Sequence, residues 1–169
     1  MFGKGYKGWL KDGLTPEAIS CLCGGVPHQN APASLPQYHE KTRRLAKLFD
    51  YYNAALFDNS LPQCSFSIAK LKYAWGVYTP DGTGNIALDV GLIDGGVRHY
   101  KVTTLVHEMV HHWQSYSGAD HHTEGWHNGQ FIAKMNDLGI AYDNPQNNCH
   151  DIIRWGKLDY AMQAEFRNT

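Results

Sequence analysis

The sequence predicts an α+β domain in which a small antiparallel β-meander packs against a pair of helices. Three observations lead there. Apolar residues recur at helical spacing in three stretches, three short strand-like segments lie between the first two, and the second stretch contains His107-Glu108-Met109-Val110-His111. At 169 residues the chain can build one domain with its own core, and 43% hydrophobic with 18% charged residues is ordinary globular composition.

Residues 1–37 read as an irregular leader rich in Gly and Pro, with room for one short helix near Pro16 to Leu22. From Tyr38 to Phe57, Leu45, Leu48, Phe49, Tyr52 and Leu56 predict a helix that Asn59-Ser60 and Pro62 terminate. Phe66, Ile68 and Lys70 alternate with Ser65, Ser67 and Ala69 as a first strand. Trp75 to Tyr78 gives a second, and Asn85 to Val90 a third after the turn Asp81-Gly82-Thr83-Gly84. Helical spacing returns from Arg98 to Tyr116 through Val102, Leu105, Val106, Met109 and Trp113, with Gly118 as the stop. A polar loop from Ala119 to Gly125 leads to a third helix from Trp126 to Leu138, with Phe131, Ile132, Met135 and Leu138 turned inward. The tail 141–169 reads as irregular, packed on the 38–140 core, with a short strand or helix around Asp151 to Trp155.

Composition narrows the function. A net charge of −1 argues against a generally basic nucleic-acid surface. No apolar run spans a bilayer, and Asp12 and Glu17 interrupt any secretory signal after Lys4, Lys7 and Lys11, so a cytoplasmic protein is expected. Cys21, Cys23, Cys64 and Cys149 lack the spacing of a zinc knuckle and read as structural or incidental thiols.

The chemistry lies in the second helix. Residues four apart share a helix face, so the rings of His107 and His111 can reach one metal ion while Glu108 stands beside them without being a ligand. That is the layout of a zinc-dependent hydrolase. Catalytic zinc takes three protein ligands and leaves a position for water. His121, His122, Glu124 and His127 compete for third place, and Ser117 excludes a ligand six residues after His111. His127 is favoured, because a helix antiparallel to the first could aim a first-turn side chain back at the other two, with Gly129 allowing close approach. His112, His121 and His122 read as exposed or as groups orienting a ligand ring, a task open to Asp120 and Glu124 as well.

Thr104-Leu-Val-His-Glu-Met-Val-His-His-Trp-Gln114 followed by Gly125-Trp-His127-Asn-Gly129-Gln-Phe131 resembles the SprT-like zinc metalloproteases, which include the Spartan proteases. Leu48 to Pro62 is similar to the leading helix of that family and its Leu-Pro exit. Trp75-Gly76-Val77-Tyr78 and Ile86-Ala87-Leu88 are similar to its strands, so the resemblance covers about residues 40–139. It implies a zincin-type helix pair, with the third zinc ligand at His127. Asn128 between His127 and Gly129 departs from the His-Gly-x-x-Phe pattern. The tail has only Cys149, so the zinc ribbon many members carry is not expected.

The implied activity is zinc-dependent hydrolysis of peptide bonds in a protein or peptide substrate. Zn2+ would sit on His107, His111 and His127, with Glu108 as general base. Two other functions fit the same motif. A DNA-associated protease would use Lys41, Arg43, Arg44 and Lys47 with Lys70 and Lys72, and a non-catalytic zinc-binding protein would have no use for Glu108.

Overall fold

A computed structural model describes residues 31–72, 74–96, 98–117, 127–142, 151–153 and 157–167. The chain enters through a 3-10 turn at Pro36–Tyr38 into helix α1 (His39–Phe57). Leu45, Phe49, Tyr52, Asn53, Leu56 and Phe57 form its buried stripe. The exit is locked by side chain as well as sequence. Asp58 and Asn59 adopt left-handed backbone with φ of 54° and 56°. Asn53 then donates through Nδ2 to the Leu61 carbonyl and accepts at Oδ1 from the Leu61 N–H. The basic face of α1 is largely paired: Arg43 and Arg44 lie against Glu40, and Lys41 against Asp94.

Strands β1 (Ser65–Ala69), β2 (Gly76–Thr79) and β3 (Asn85–Asp89) form one sheet in the order β1-β3-β2. This corrects the expected antiparallel meander: the sheet is mixed, with β3 parallel to β1 and antiparallel to β2. The reason lies in β3. Ile86, Ala87 and Leu88 are all fully buried, so both faces of the strand are covered and it takes the central place rather than an edge. The tight turn ending at Gly84 permits only antiparallel pairing between β2 and β3. The longer connection after β1 lets the chain pass over before β3 inserts. Asn85 satisfies the polar side of β1, accepting from Ser67 Oγ and donating to Ser65 Oγ. Asp89 closes the far end: one carboxylate oxygen accepts from the Leu71 N–H and the other from the Gly91 N–H, capping helix α2 (Val90–Gly95).

Helix α3 (Arg98–Tyr116) packs on β2 and β3 and carries the motif. Every residue from Leu105 to His112 is buried, which makes α3 the central rod of the domain rather than a surface amphipathic helix. Helix α4 (Gly129–Asp137) lies against α3, with Phe131 and Met135 inward. The chain then turns at Gly139, where φ is +81°, into β4 (Ile140–Tyr142), which pairs antiparallel with β5 (Asp151–Ile153). Helix α5 (Lys157–Arg167) follows, which corrects the irregular tail expected from the sequence. Leu158, Ala161 and Met162 give it an inward edge against α1, where Tyr51 donates to the Ala161 carbonyl at 2.8 Å.

His112 is fully buried, which removes the exposed reading of that residue. The Pro62 carbonyl can only accept, so Nε2 donates to it at 2.8 Å, and Nδ1 then accepts from the Tyr78 hydroxyl at 3.2 Å. One neutral ring thereby joins the exit of α1, strand β2 and helix α3. Replacing His112 with Phe keeps the ring volume but leaves a buried carbonyl and hydroxyl without this partner. Loss of stability on the order of 2–4 kcal/mol is expected in denaturant unfolding, and an unchanged midpoint would contradict the role.

Candidate metal centre

Within α3, His107 and His111 stand one turn apart on the face turned toward α4, and both are nearly buried. His127 arrives from a different segment. Its Nε2 lies 3.1 Å from His107 Nε2 and 3.1 Å from His111 Nε2. The sequence reading put His127 in the first turn of a helix starting at Trp126. The helix instead begins at Gly129 with Asn128 as its N-cap, so His127 precedes the cap and its ring is free of helical geometry. Gly129 has open space where a Cβ would sit, so it serves no close helix approach. Asp120, His121, His122, Glu124 and Trp126 lie outside the described residues.

The three Nε2 atoms pose a problem that hydrogen bonding alone does not solve. His127 Nε2 has one in-plane hydrogen or one lone pair, yet it faces two ring nitrogens at equal distance. A cation among them could engage all three lone pairs. Tetrahedral zinc with bonds of about 2.0–2.1 Å holds its nitrogens about 3.3 Å apart, close to the observed spacing. The residues therefore fit a metal ion, and His107, His111 and His127 are the group among the described residues able to hold one.

The surroundings are apolar on one side. Phe131 packs against all three, with centroid distances of 4.9 Å to His107, 4.5 Å to His111 and 4.6 Å to His127. Burial, with a further push from His107, takes the His127 imidazole down to about 3. Burial alone lowers His112 as well, against the opposing hydrogen bond to Pro62. Elsewhere, burial and then Asp50 push the Cys64 thiol up to about 12, consistent with an inert thiol.

Glu108 is also buried, at 5% exposure, and lies against Gly76 at the start of β2. A Cβ built on Gly76 would come within 2.7 Å of Glu108 Oε1 and 2.9 Å of its Cγ, so the missing side chain makes room for the carboxylate. Tyr78 is in the core against His112, whereas Tyr100 is half exposed.

Two polar residues of the site escaped sequence reasoning. His111 Nδ1 meets Gln114 Oε1 at 3.0 Å, and Gln114 Nε2 donates to Asn128 Oδ1 at 3.1 Å. The i,i+3 spacing of His111 and Gln114 was the available signal. Asn128, which reads in the sequence as a departure from the family pattern, is the side chain that caps α4.

The fold is thus an α+β domain in which three histidines, two buried and one partly buried, could hold a metal ion. The chain belongs to the SprT-like family, whose model matches residues 45–150, a family generally associated with zinc metalloprotease-like proteins. No curated protein and no solved structure matches the chain.

Zinc should bind with one-to-one stoichiometry, and His107→Ala, His111→Ala or His127→Ala should each abolish tight binding in a chelator competition. Retention of tight zinc by His127→Ala would remove that residue from the centre. The metal-free protein should also be acid-sensitive. An unfolded histidine takes a proton near 6.5, whereas folded His127 resists until about 3, so across that interval the unfolded state holds more protons. Stability must therefore fall with pH from about 6.5 downward, as thermal melts between about pH 7 and about pH 4 would register. A flat profile would mean that the ring is not buried neutral.

Proposed function

We propose that this protein is a zinc-dependent endopeptidase that hydrolyses peptide bonds in protein substrates. The observation that carries the reading is the convergence of three Nε2 atoms, two contacts of 3.1 Å, with a buried Glu108 adjacent to the first ligand on the same helix. Membership in the SprT-like family supports it. When bound, zinc would supply Lewis acidity, lowering the pKa of a water to about 7 and polarising a carbonyl.

The residues of the chain supply the rest. His107, His111 and His127 present their ring nitrogens beside Phe131, which excludes bulk water from one side. Glu108 accepts the proton of the attacking water and returns it to the amine that leaves. Gly76 keeps the carboxylate where it can do both, because a side chain there would displace it.

A DNA-directed version of the activity would draw on the basic residues of α1, three of which are paired with carboxylates. Glu40 and Asp94 already engage Arg43, Arg44 and Lys41 on α1. No described helix is long and apolar enough to cross a membrane.

Incubating the zinc-loaded protein with a protein mixture, followed by mass spectrometry of new termini, tests the reading. Glu108→Gln should retain zinc and lose cleavage by roughly 100-fold or more. Gly76→Ala should likewise depress cleavage more than zinc affinity. Cleavage that survives Glu108→Gln would reject the assigned base, and zinc binding without any cleavage would make the centre structural.

A further inference from the structure

We infer that Gln114 and Asn128 form a positioning relay that dictates which nitrogen of His111 faces the metal centre. The inference rests on the proposed metal reading and deepens it. The polarity of the relay can be followed atom by atom from the backbone outward.

The N–H groups of Gln130 and Phe131, at the start of α4, can only donate. Both point at the same Asn128 side-chain atom at 3.1 Å, which must therefore be the oxygen. That oxygen also faces the Gln114 amide at 3.1 Å, so Gln114 must present its NH2 group there and its own oxygen to the other side. Gln114 Oε1 then faces His111 Nδ1 at 3.0 Å and has no hydrogen to give. His111 Nδ1 must carry a proton, so in the neutral ring the lone pair lies on Nε2, the atom 3.1 Å from His127 Nε2. Gln114 is fully buried and Asn128 nearly so, so water competes little for these bonds.

The same oxygen that ends the relay caps the helix directly after His127. Gln114 thus ties the α3 histidines to the segment that supplies the third ring, and it fixes both the tautomer of His111 and the approach of His127. Reversing the Asn128 amide would set its NH2 against two backbone N–H donors, and reversing the Gln114 amide would set its oxygen against Asn128 Oδ1. The backbone of α4 is what prevents this.

The relay is tested first on the zinc-free protein. Two-dimensional nitrogen NMR of the imidazoles should show His111 as a single Nδ1–H tautomer in the wild type and as a mixture in Gln114→Leu, a difference that packing alone does not predict. Zinc affinity, read by competition with a chromophoric chelator, should weaken roughly 10- to 100-fold in Gln114→Leu and in Asn128→Ala. The double variant should weaken no further than the worse single one, because both act through one chain of bonds. Asn128→Asp keeps an oxygen for all three donors and should restore affinity to near wild type. An unchanged tautomer in Gln114→Leu, or additive losses in the double variant, would overturn the relay. Failure of the wild type to bind zinc would instead sink the metal reading, while the tautomer measurement would still decide the relay.

Discussion

Burial of polar groups on α3 is the constraint that organises the rest of the structure. His107, Glu108, His111, His112 and Gln114 are all withdrawn from water on a helix that also buries Val102, Leu105, Val106, Met109 and Val110. A buried polar atom without a partner costs more than a typical hydrogen bond gains. Each of these side chains therefore limits what can be packed against it. The apolar face of α3 would accept many partners. The polar face accepts few, and those few determine where the neighbouring segments go.

His112 shows how that constraint becomes topology. Its two ring nitrogens need a donor and an acceptor, and they take them from β2 and from the Leu-Pro exit of α1. Gly84 lies tight against the same pair, where a Cβ would come within 2.8 Å of the Tyr78 hydroxyl. On the other side, Gln114 reaches α4 through its N-cap rather than through apolar contact. Helix α3 is thus anchored by hydrogen bonds to elements both before and after it in sequence. The three imidazoles meet on the side where Phe131 of α4 packs.

How much of this could be read from the sequence follows from the range of the interactions involved. The α1 and α3 stripes, the His107–His111 pair and the turn before β3 depend on spacing within a few residues, and those were legible. The order of the sheet was not, because alternation in β3 looks the same whether Ala87 faces solvent or a second layer. Its full burial is decided by α3 and by β1, both distant in the chain. Helix α5 was missed because its inward edge, Leu158, Ala161 and Met162, is short and gains its meaning from α1. His112 was misjudged for a related reason: a histidine next to a ligand suggests a supporting role at the metal, yet one step along a helix rotates it onto another face. Asn128 carries a readable signal, since Asn before a helix is a strong cap.

The third imidazole comes from outside the helix, and this has an energetic consequence. Two histidines on one helix are brought together by local structure alone, whereas His127 must be carried in by the fold. Its ring is held neutral by burial and by His107, far below the ordinary histidine range. Protons therefore compete weakly for it near neutral pH, and a cation entering the centre would displace little charge. The cost falls on folding, because the chain must bring three nitrogens together before any ion rewards it. Phe131, packed on all three rings, and the cap on Asn128 offset part of that cost. A site built this way takes its third ligand from the tertiary fold, so the contacts that place Phe131 and Asn128 bear on the centre as directly as the helical spacing of His107 and His111.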